Sequence, residues 1–201
     1  MKSPVAMDGA FLFVMGIWMS QEGTEMSLKL VRPEERYAAQ VMAYKEEMLL
    51  NGDGLHGCAG LEKVSTYAEW ADFDNRLRKE YGESYTPSEV FLAVRSEDDR
   101  VVGIMDYRHS PLPPFLLEYG GNIGFSVRPT ERRKGYANEM LKQLLPICRA
   151  YGEQRGLLTC DKTNDASRKT IVKNGGVLEN EVMDGGKLSA GGMVQRYWIG
   201  L

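Results

Sequence analysis

Arg132-Arg133-Lys134-Gly135-Tyr136-Ala137 sets three adjacent cations, a glycine and a small residue between an apolar run, Gly121 to Val127, and a segment of helical periodicity. The chemistry open to such a string is anion binding. Gly135 lets the backbone turn tightly, Ala137 lets a ligand approach the helix start, and the first N–H groups of a helix have no intrahelical acceptor. The cations add charge that suits a phosphate. A solvated basic turn capping a helix would carry the same letters, so context decides. Met140, Leu141, Leu144, Leu145 and Cys148 continue from Ala137 at helical spacing, which predicts an amphipathic helix behind the turn.

A further strand is expected at Gly156 to Cys160, followed by Asn164-Asp165-Ala166-Ser167 and, at the end of the next helix, Asn174-Gly175-Gly176. With these residues the sequence resembles the GNAT superfamily of acetyl-coenzyme A-dependent N-acetyltransferases, whose signature turn reads Gln/Arg-x-x-Gly-x-Gly/Ala. Within it, the chain is similar to a bacterial branch with generally unassigned substrates, and the likeness runs from Leu28 to Leu201. The resemblance implies an α/β fold with a mixed, mostly antiparallel sheet flanked by helices and splayed between the fourth and fifth strands. It implies acetyl-coenzyme A as co-substrate and no metal. The turn Arg132, Arg133, Lys134, Gly135, Tyr136 and Ala137 would hold the pyrophosphate, with Phe125, Ser126, Val127, Asn164 and Ser167 completing the cofactor site. Asn164 reads equally well as a helix N-cap, and the two roles are compatible. Ser167 could simply begin that helix.

Acetyl transfer to an amine needs a proton acceptor, because a lysine-like amine with a pKa of about 10.4 is neutral in only about one molecule in a thousand near pH 7, a handicap of about 4 kcal/mol. The resemblance supplies an oxyanion donor, a backbone N–H at Ser126 or Val127, with Val127 preferred. It does not supply the base. Where some relatives carry a glutamate on the fourth strand, this chain has Asn122, which cannot take up a proton. Glu118, His109 and Asp106 are the nearest alternatives, with Glu118 preferred and His109 second. Each also has an ordinary reading, as a loop charge, a strand-end residue and a surface strand residue. Ile171 stands where many relatives place a tyrosine that protonates the departing thiol, which with a pKa near 8.5 is a tolerable leaving group without it. The expected function is direct transfer of an acetyl group to a primary amine of a small molecule or protein. A catalytically silent sensor of acyl-coenzyme A is the alternative, and a homodimer is compatible with either.

Composition bounds these readings without supplying them. The 201 residues, 43% hydrophobic and 26% charged, suit one domain with one sizeable core. A net charge of −3 argues against a general nucleic-acid binder, which needs a broad basic surface. Cys58, Cys148 and Cys160 form no paired framework, so a reducing cytoplasm is the expected compartment. His56 and Cys58 lack a second ligand pair for zinc, and Asn51 to Gly54 is only a fragment of a calcium loop. A dinucleotide fold would need its glycines after the strand, whereas Gly120, Gly121 and Gly124 precede its end.

Residues 1–27 read as an extension or an alternative start, and 28–201 as the domain. Ala10 to Met19 is apolar apart from Gly16, but it lacks the flanks of a signal peptide and is too short to cross a bilayer, so no membrane role is expected. Elements are expected as follows. A first strand starts near Leu28, a helix follows Arg32-Pro33, and a second helix runs from Thr66 to Tyr81 with an aromatic stripe at Tyr67, Trp70 and Tyr81 that reads as core. Val90 to Val94 and Val101 to Tyr107 form a hairpin, Pro111 to Pro114 a semi-rigid loop, and Val177 to Val182 with Met193 to Ile199 a last hairpin.

Overall fold

The computed structural model describes residues 27–78, 86–186 and 191–201. The segment read as an N-terminal extension lies outside them up to residue 26, as does Tyr81.

Two antiparallel sheets form the frame. β1 (Leu28–Val31), β2 (Ser88–Arg95), β3 (Arg100–Arg108) and β4 (Ile123–Val127) pair in the order β1-β2-β3-β4, and β5 (Arg155–Asp161), β6 (Val177–Met183) and β7 (Met193–Gly200) in the order β5-β7-β6. The apolar runs of β2 and β3 are buried on both faces, which is why they read as continuous hydrophobic stretches. Strand alternation divides the core in two. Val90, Leu92, Val94 and Ile104 face α1 (Ala38–Leu50) and α2 (Tyr67–Leu77), packing with Tyr37, Val41, Tyr44 and Trp70. Phe91, Ala93, Met105 and Tyr107 face α3 (Tyr136–Ala150), whose Met140, Leu141, Leu144 and Cys148 form its buried stripe. The last helix, α4 (Asp165–Lys173), follows β5.

Local signals set the helix ends. Thr66 Oγ1 accepts the Glu69 N–H at 3.2 Å while the Glu69 carboxylate accepts the Thr66 N–H at 3.2 Å, a reciprocal cap of the kind worth about 0.5–2 kcal/mol. Tyr67 and Trp70 enter the core, as their stripe indicated. The stretch after the prolines differs from expectation: Leu116–Gly120 forms a π-helical turn. Its carbonyls are met by guanidinium groups, Arg108 Nη1 donating to Gly120 and Gly121 at 3.1 Å each and Arg196 Nη1 donating to Glu118 at 2.7 Å. Partners so distant in sequence leave no local mark.

Candidate active site

β4 and β5 belong to different sheets and are tied where Asn122 meets Leu157. The Asn122 N–H donates to the Leu157 carbonyl at 2.7 Å, and Asn122 Oδ1 accepts the Leu157 N–H at 3.0 Å. Asn122 Nδ2 donates to the Arg108 carbonyl at 3.0 Å, so one buried amide ties β3, β4 and β5 together. Gly121, at φ +72°, passes so close to the Leu157 carbonyl that a side chain there would collide with it. Beyond this junction a cleft of about 1080 Å³ opens, lined by the β4 residues Phe125, Ser126 and Val127, by Cys160 and Asp161 of β5, and by the turn before α3.

In that turn Arg133 has φ +64° and Gly135 has φ +88°, left-handed conformations that bring successive amides to one side. The first backbone bonds of α3 run from Asn138 and Glu139 to the Gly135 carbonyl, at 3.1 and 3.2 Å, and the N–H groups of Arg133 to Ala137 have no backbone acceptor among the described residues. No side chain caps them either. This is an anion cradle made of backbone. The neighbouring cations contribute less than their number suggests. Arg132 is held by Asp53 at 2.7 Å and by the Val127 carbonyl at 3.0 Å, and Lys134 by Glu131 at 2.8 Å. Glu131 is buried and also meets Arg95 at 2.9 Å and Arg100 at 3.1 Å. Burial works to raise its carboxyl, yet Lys134 and Arg95 hold it below the usual glutamate range. Two of the three cations thus brace the turn, and Arg133 is the one with no ion pair among the described residues.

The register of β4 assigns its N–H directions. Arg128 donates to the Val102 carbonyl at 2.9 Å and Arg108 to the Asn122 carbonyl at 2.7 Å, so even-numbered residues of β4 bond β3. Phe125 and Val127 therefore turn their N–H groups to the opposite edge, where the sheet has no further strand among the described residues. Ser126 is fixed by its side chain: Tyr44 Oη donates to Ser126 Oγ at 2.8 Å, and Ser126 Oγ donates to the His56 carbonyl at 2.6 Å. Cys58 Sγ lies 3.4 Å from the same hydroxyl. Burial pushes the Cys58 thiol up to about 12 and the Tyr44 phenol well above its ordinary value, so both stay protonated and serve as packing and hydrogen-bonding groups.

Residues 55–175, more than half of the chain, match the model of the Acetyltransferase (GNAT) family. The chain belongs to the GNAT family of acetyltransferases. Solved structures agree on the fold. RimJ of Mycobacterium smegmatis, in complex with CoA-disulfide, superposes with a TM-score of 0.64 at 18% identity, covering 86% of this chain and 81% of that one. RimL, a ribosomal L7/L12 alpha-N-protein acetyltransferase in complex with coenzyme A, gives 0.62 at 16%, covering 89% and 96%. The microcin C7 self-immunity acetyltransferase MccE, in complex with acetyl-CoA and AMP, gives 0.61 at 15%, covering 89% and 94%. No curated protein matches the chain.

Within this GNAT frame the expected cofactor residues converge: Phe125, Ser126, Val127, the turn residues Arg132, Arg133 and Gly135 to Ala137, and Asn164 and Ser167 all line the cleft, whereas Lys134 does not. Asn164 is the N-cap of α4, its Oδ1 accepting the Ser167 N–H at 3.0 Å. The two expected bases lie elsewhere. Glu118 is exposed and is not among the residues lining the cleft; it borders a shallow recess with Pro114, Leu117 and Asn180, its carboxylate held by the Tyr119 phenol, while the π-helical turn gives Leu116 and Tyr119 to the cleft. His109 sits between the rings of Tyr107 and Tyr151, at 4.6 and 4.7 Å, with Nε2 3.6 Å from Glu89, since alternation along β3 carries it to the α3 face. Burial pushes its pKa down. Asp106, read as a surface strand residue, is instead buried and lines the cleft. Ile171 is buried in the core cluster that holds the α3 stripe and is not among the residues lining the cleft.

The sequence reading missed the junction role of Asn122, the bracing by Asp53 and Glu131, and the Tyr44–Ser126 contact. Asn122–Leu157, Asp53–Arg132 and Tyr44–Ser126 join residues far apart in the chain, the last by 82 positions, whereas Glu131 reaches Lys134 only three positions on and Arg95 far away. Only the type of Asn122, a short amide at a strand start after paired glycines, hinted at a hydrogen-bonding rather than an acid–base part.

Proposed function

We propose that the chain binds acetyl-coenzyme A in the cleft and transfers its acetyl group directly to a primary amine of a small molecule or a protein. The observation that carries this reading is the run of unpartnered amides from Arg133 to Ala137, lying beside the outward N–H groups of Phe125 and Val127 on the free edge of β4. A pyrophosphate on the turn puts negative charge at the N-terminus of α3, where the helix dipole favours it. A pantetheine arm lying along β4 can pair with that edge as a further strand would, and this brings the thioester carbonyl toward Val127 N–H. That donor stabilises charge as it develops on the oxygen, a contribution of the kind worth about 3–4 kcal/mol in other acyl transfers. The departing thiol needs no acid, its ordinary pKa being about 8.5.

The test is thiol release from acetyl-coenzyme A in the presence of a panel of amines and peptides. Amine-dependent release, with the acetyl group recovered on nitrogen, is expected for at least one acceptor class. Tight binding of acetyl-coenzyme A without release by any amine would replace this reading with that of a silent sensor.

A further inference from the structure

Resting on the acetyltransfer reading, we infer that Asp106, delivered from β3 across the face of β4, is the group that binds the acceptor amine and takes its proton. In the register of β3 and β4, Asp106 stands opposite Gly124, the residue two places after Asn122. Gly124 has no side chain, and the Asp106 carboxylate and the Gly57 backbone share the space this leaves: a Cβ on Gly124 would stand 2.6 Å from Asp106 Oδ1, 2.9 Å from Gly57 Cα and 3.0 Å from Arg108 Nη2. The β4 strand, which carries an amide at Asn122 in place of an acid, thus receives a carboxylate from its neighbour. Asp106 is held there by the Gly124 N–H at 3.0 Å and by Arg108 Nη2 at 2.9 Å. Arg108 is in turn fixed to the carbonyls of Gly120 and Gly121. With its own N–H as a third donor, the carboxylate still keeps about one of its four acceptor positions for a further partner.

Position fits the role. Asp106, Gly124 and Ser126 share the face turned to α1 and α2, with the cleft residues Cys58 and Gly57 packed over them. Three residues of strand separate Gly124 from Val127, about 10 Å, a span that a bridging water, the amine nitrogen and the thioester carbonyl together cover. The groups facing the carboxylate are Arg108 on its own strand, Cys58 from the connection after α1, and Asp74 of α2, itself tied to Arg78 at 2.6 Å. Burial raises the Asp106 pKa and Arg108 opposes the rise, which moves the carboxylate toward the range where a base is efficient.

The step balances without a further reactant. The amine nitrogen forms its bond to the acetyl carbon, the C–S bond breaks, and the electron pair leaves with sulfur as coenzyme A thiolate. An ammonium gives up two protons: Asp106 takes the first before attack, directly or through one water, and passes it to solvent, and the second, lost from nitrogen as the amide forms, goes to the thiolate.

Asp106→Asn tests the assignment once an acceptor is in hand. At saturating amine, kcat should fall roughly 100-fold or more while acetyl-coenzyme A affinity stays within about twofold, because general-base losses are typically that large and act in the transition state. The wild-type kcat should fall as pH drops through the raised Asp106 pKa, and that acidic limb should vanish in the variant. Gly124→Ala, which pushes a Cβ into the carboxylate, should lower kcat at least tenfold with the same affinity for the donor, and it decides the matter if Asp106→Asn does not fold. Wild-type kcat and an unchanged pH limb in either folded variant overturn the role of Asp106. A wild-type chain that acetylates no amine overturns the acetyltransfer reading itself, a distinct outcome.

Discussion

The two ends of the cleft are built in opposite ways. At the proposed donor end the working atoms are backbone amides of one short stretch, Arg133 to Ala137, set by two left-handed residues and a helix start. At the proposed acceptor end they are side chains brought together by sheet register, Asp106 and Arg108 from β3 over Gly124 of β4, with the connection after α1 lying on top. A site of the first kind is written locally and tolerates changes of side chain around it. A site of the second kind exists only when long-range pairing is correct, and each member depends on the space another leaves. Charge follows the same division: Arg132 and Lys134 are used up in bracing the turn, whereas the Asp106–Arg108 ion pair would itself face the acceptor in the proposed site.

The contrast breaks most sharply at Gly135. With φ +88°, any side chain here is strained by about 1–2 kcal/mol, and Glu adds a negative charge where phosphate should lie. Gly135→Glu should weaken acetyl-coenzyme A binding on the order of 100-fold or more, and Gly135→Ala, which keeps the strain without the charge, far less. Calorimetry on folded proteins measures both. Equal affinity in the Glu variant and the wild type would remove the cradle from the donor site.

That difference also explains what could be read from the sequence. The turn, the helix behind it and the strand before it are contiguous, so their types and periodicity sufficed, and the family resemblance named the cofactor chemistry from the same residues. Asn122 was legible only as a missing base. Its part as a three-strand tie depends on Leu157 and Arg108, and nothing in the adjacent residues announces that pairing. Asp106 looked like any polar residue in a strand, because its burial comes from α1, α2 and the loop above. Glu118 and His109 were favoured for nearness in sequence to β4, and a π-helical turn and the alternation of β3 carried them elsewhere.

Asn122 belongs to both ends, and its substitution should have an intermediate effect. Asn122→Ala keeps the backbone bond to Leu157 but leaves the buried Leu157 N–H without its Oδ1 partner, a loss of about 1–3 kcal/mol. Urea unfolding should register that loss, with Tm falling by about 2–4 °C for each kcal/mol in a chain of this size. Donor affinity and kcat should decline together by a few fold as β4 and β5 lose their fixed origin. A change confined to kcat would mean that Asn122 acts in the chemistry rather than at the junction.

The smallest effects should come from the residues whose nearness in sequence was misleading. Glu118→Gln alters an exposed group in a recess outside the cleft, and His109→Gln one between two tyrosines on the α3 face, so kcat/KM for both should stay within about twofold of wild type. His109 should show itself in stability instead. Burial lowers its pKa in the folded chain, so the unfolded chain binds the proton more readily; the stability from its neutral form is full above about pH 6.5 and is lost as pH falls toward the folded value. His109→Gln should therefore flatten the acid side of the Tm profile while leaving the rate profile alone. A tenfold loss of kcat in either variant, with donor affinity intact, would shift the acceptor end from β3 to the π-helical turn or the far face of the sheet, and the contrast between a local donor site and a register-built acceptor site would have to be redrawn around that residue.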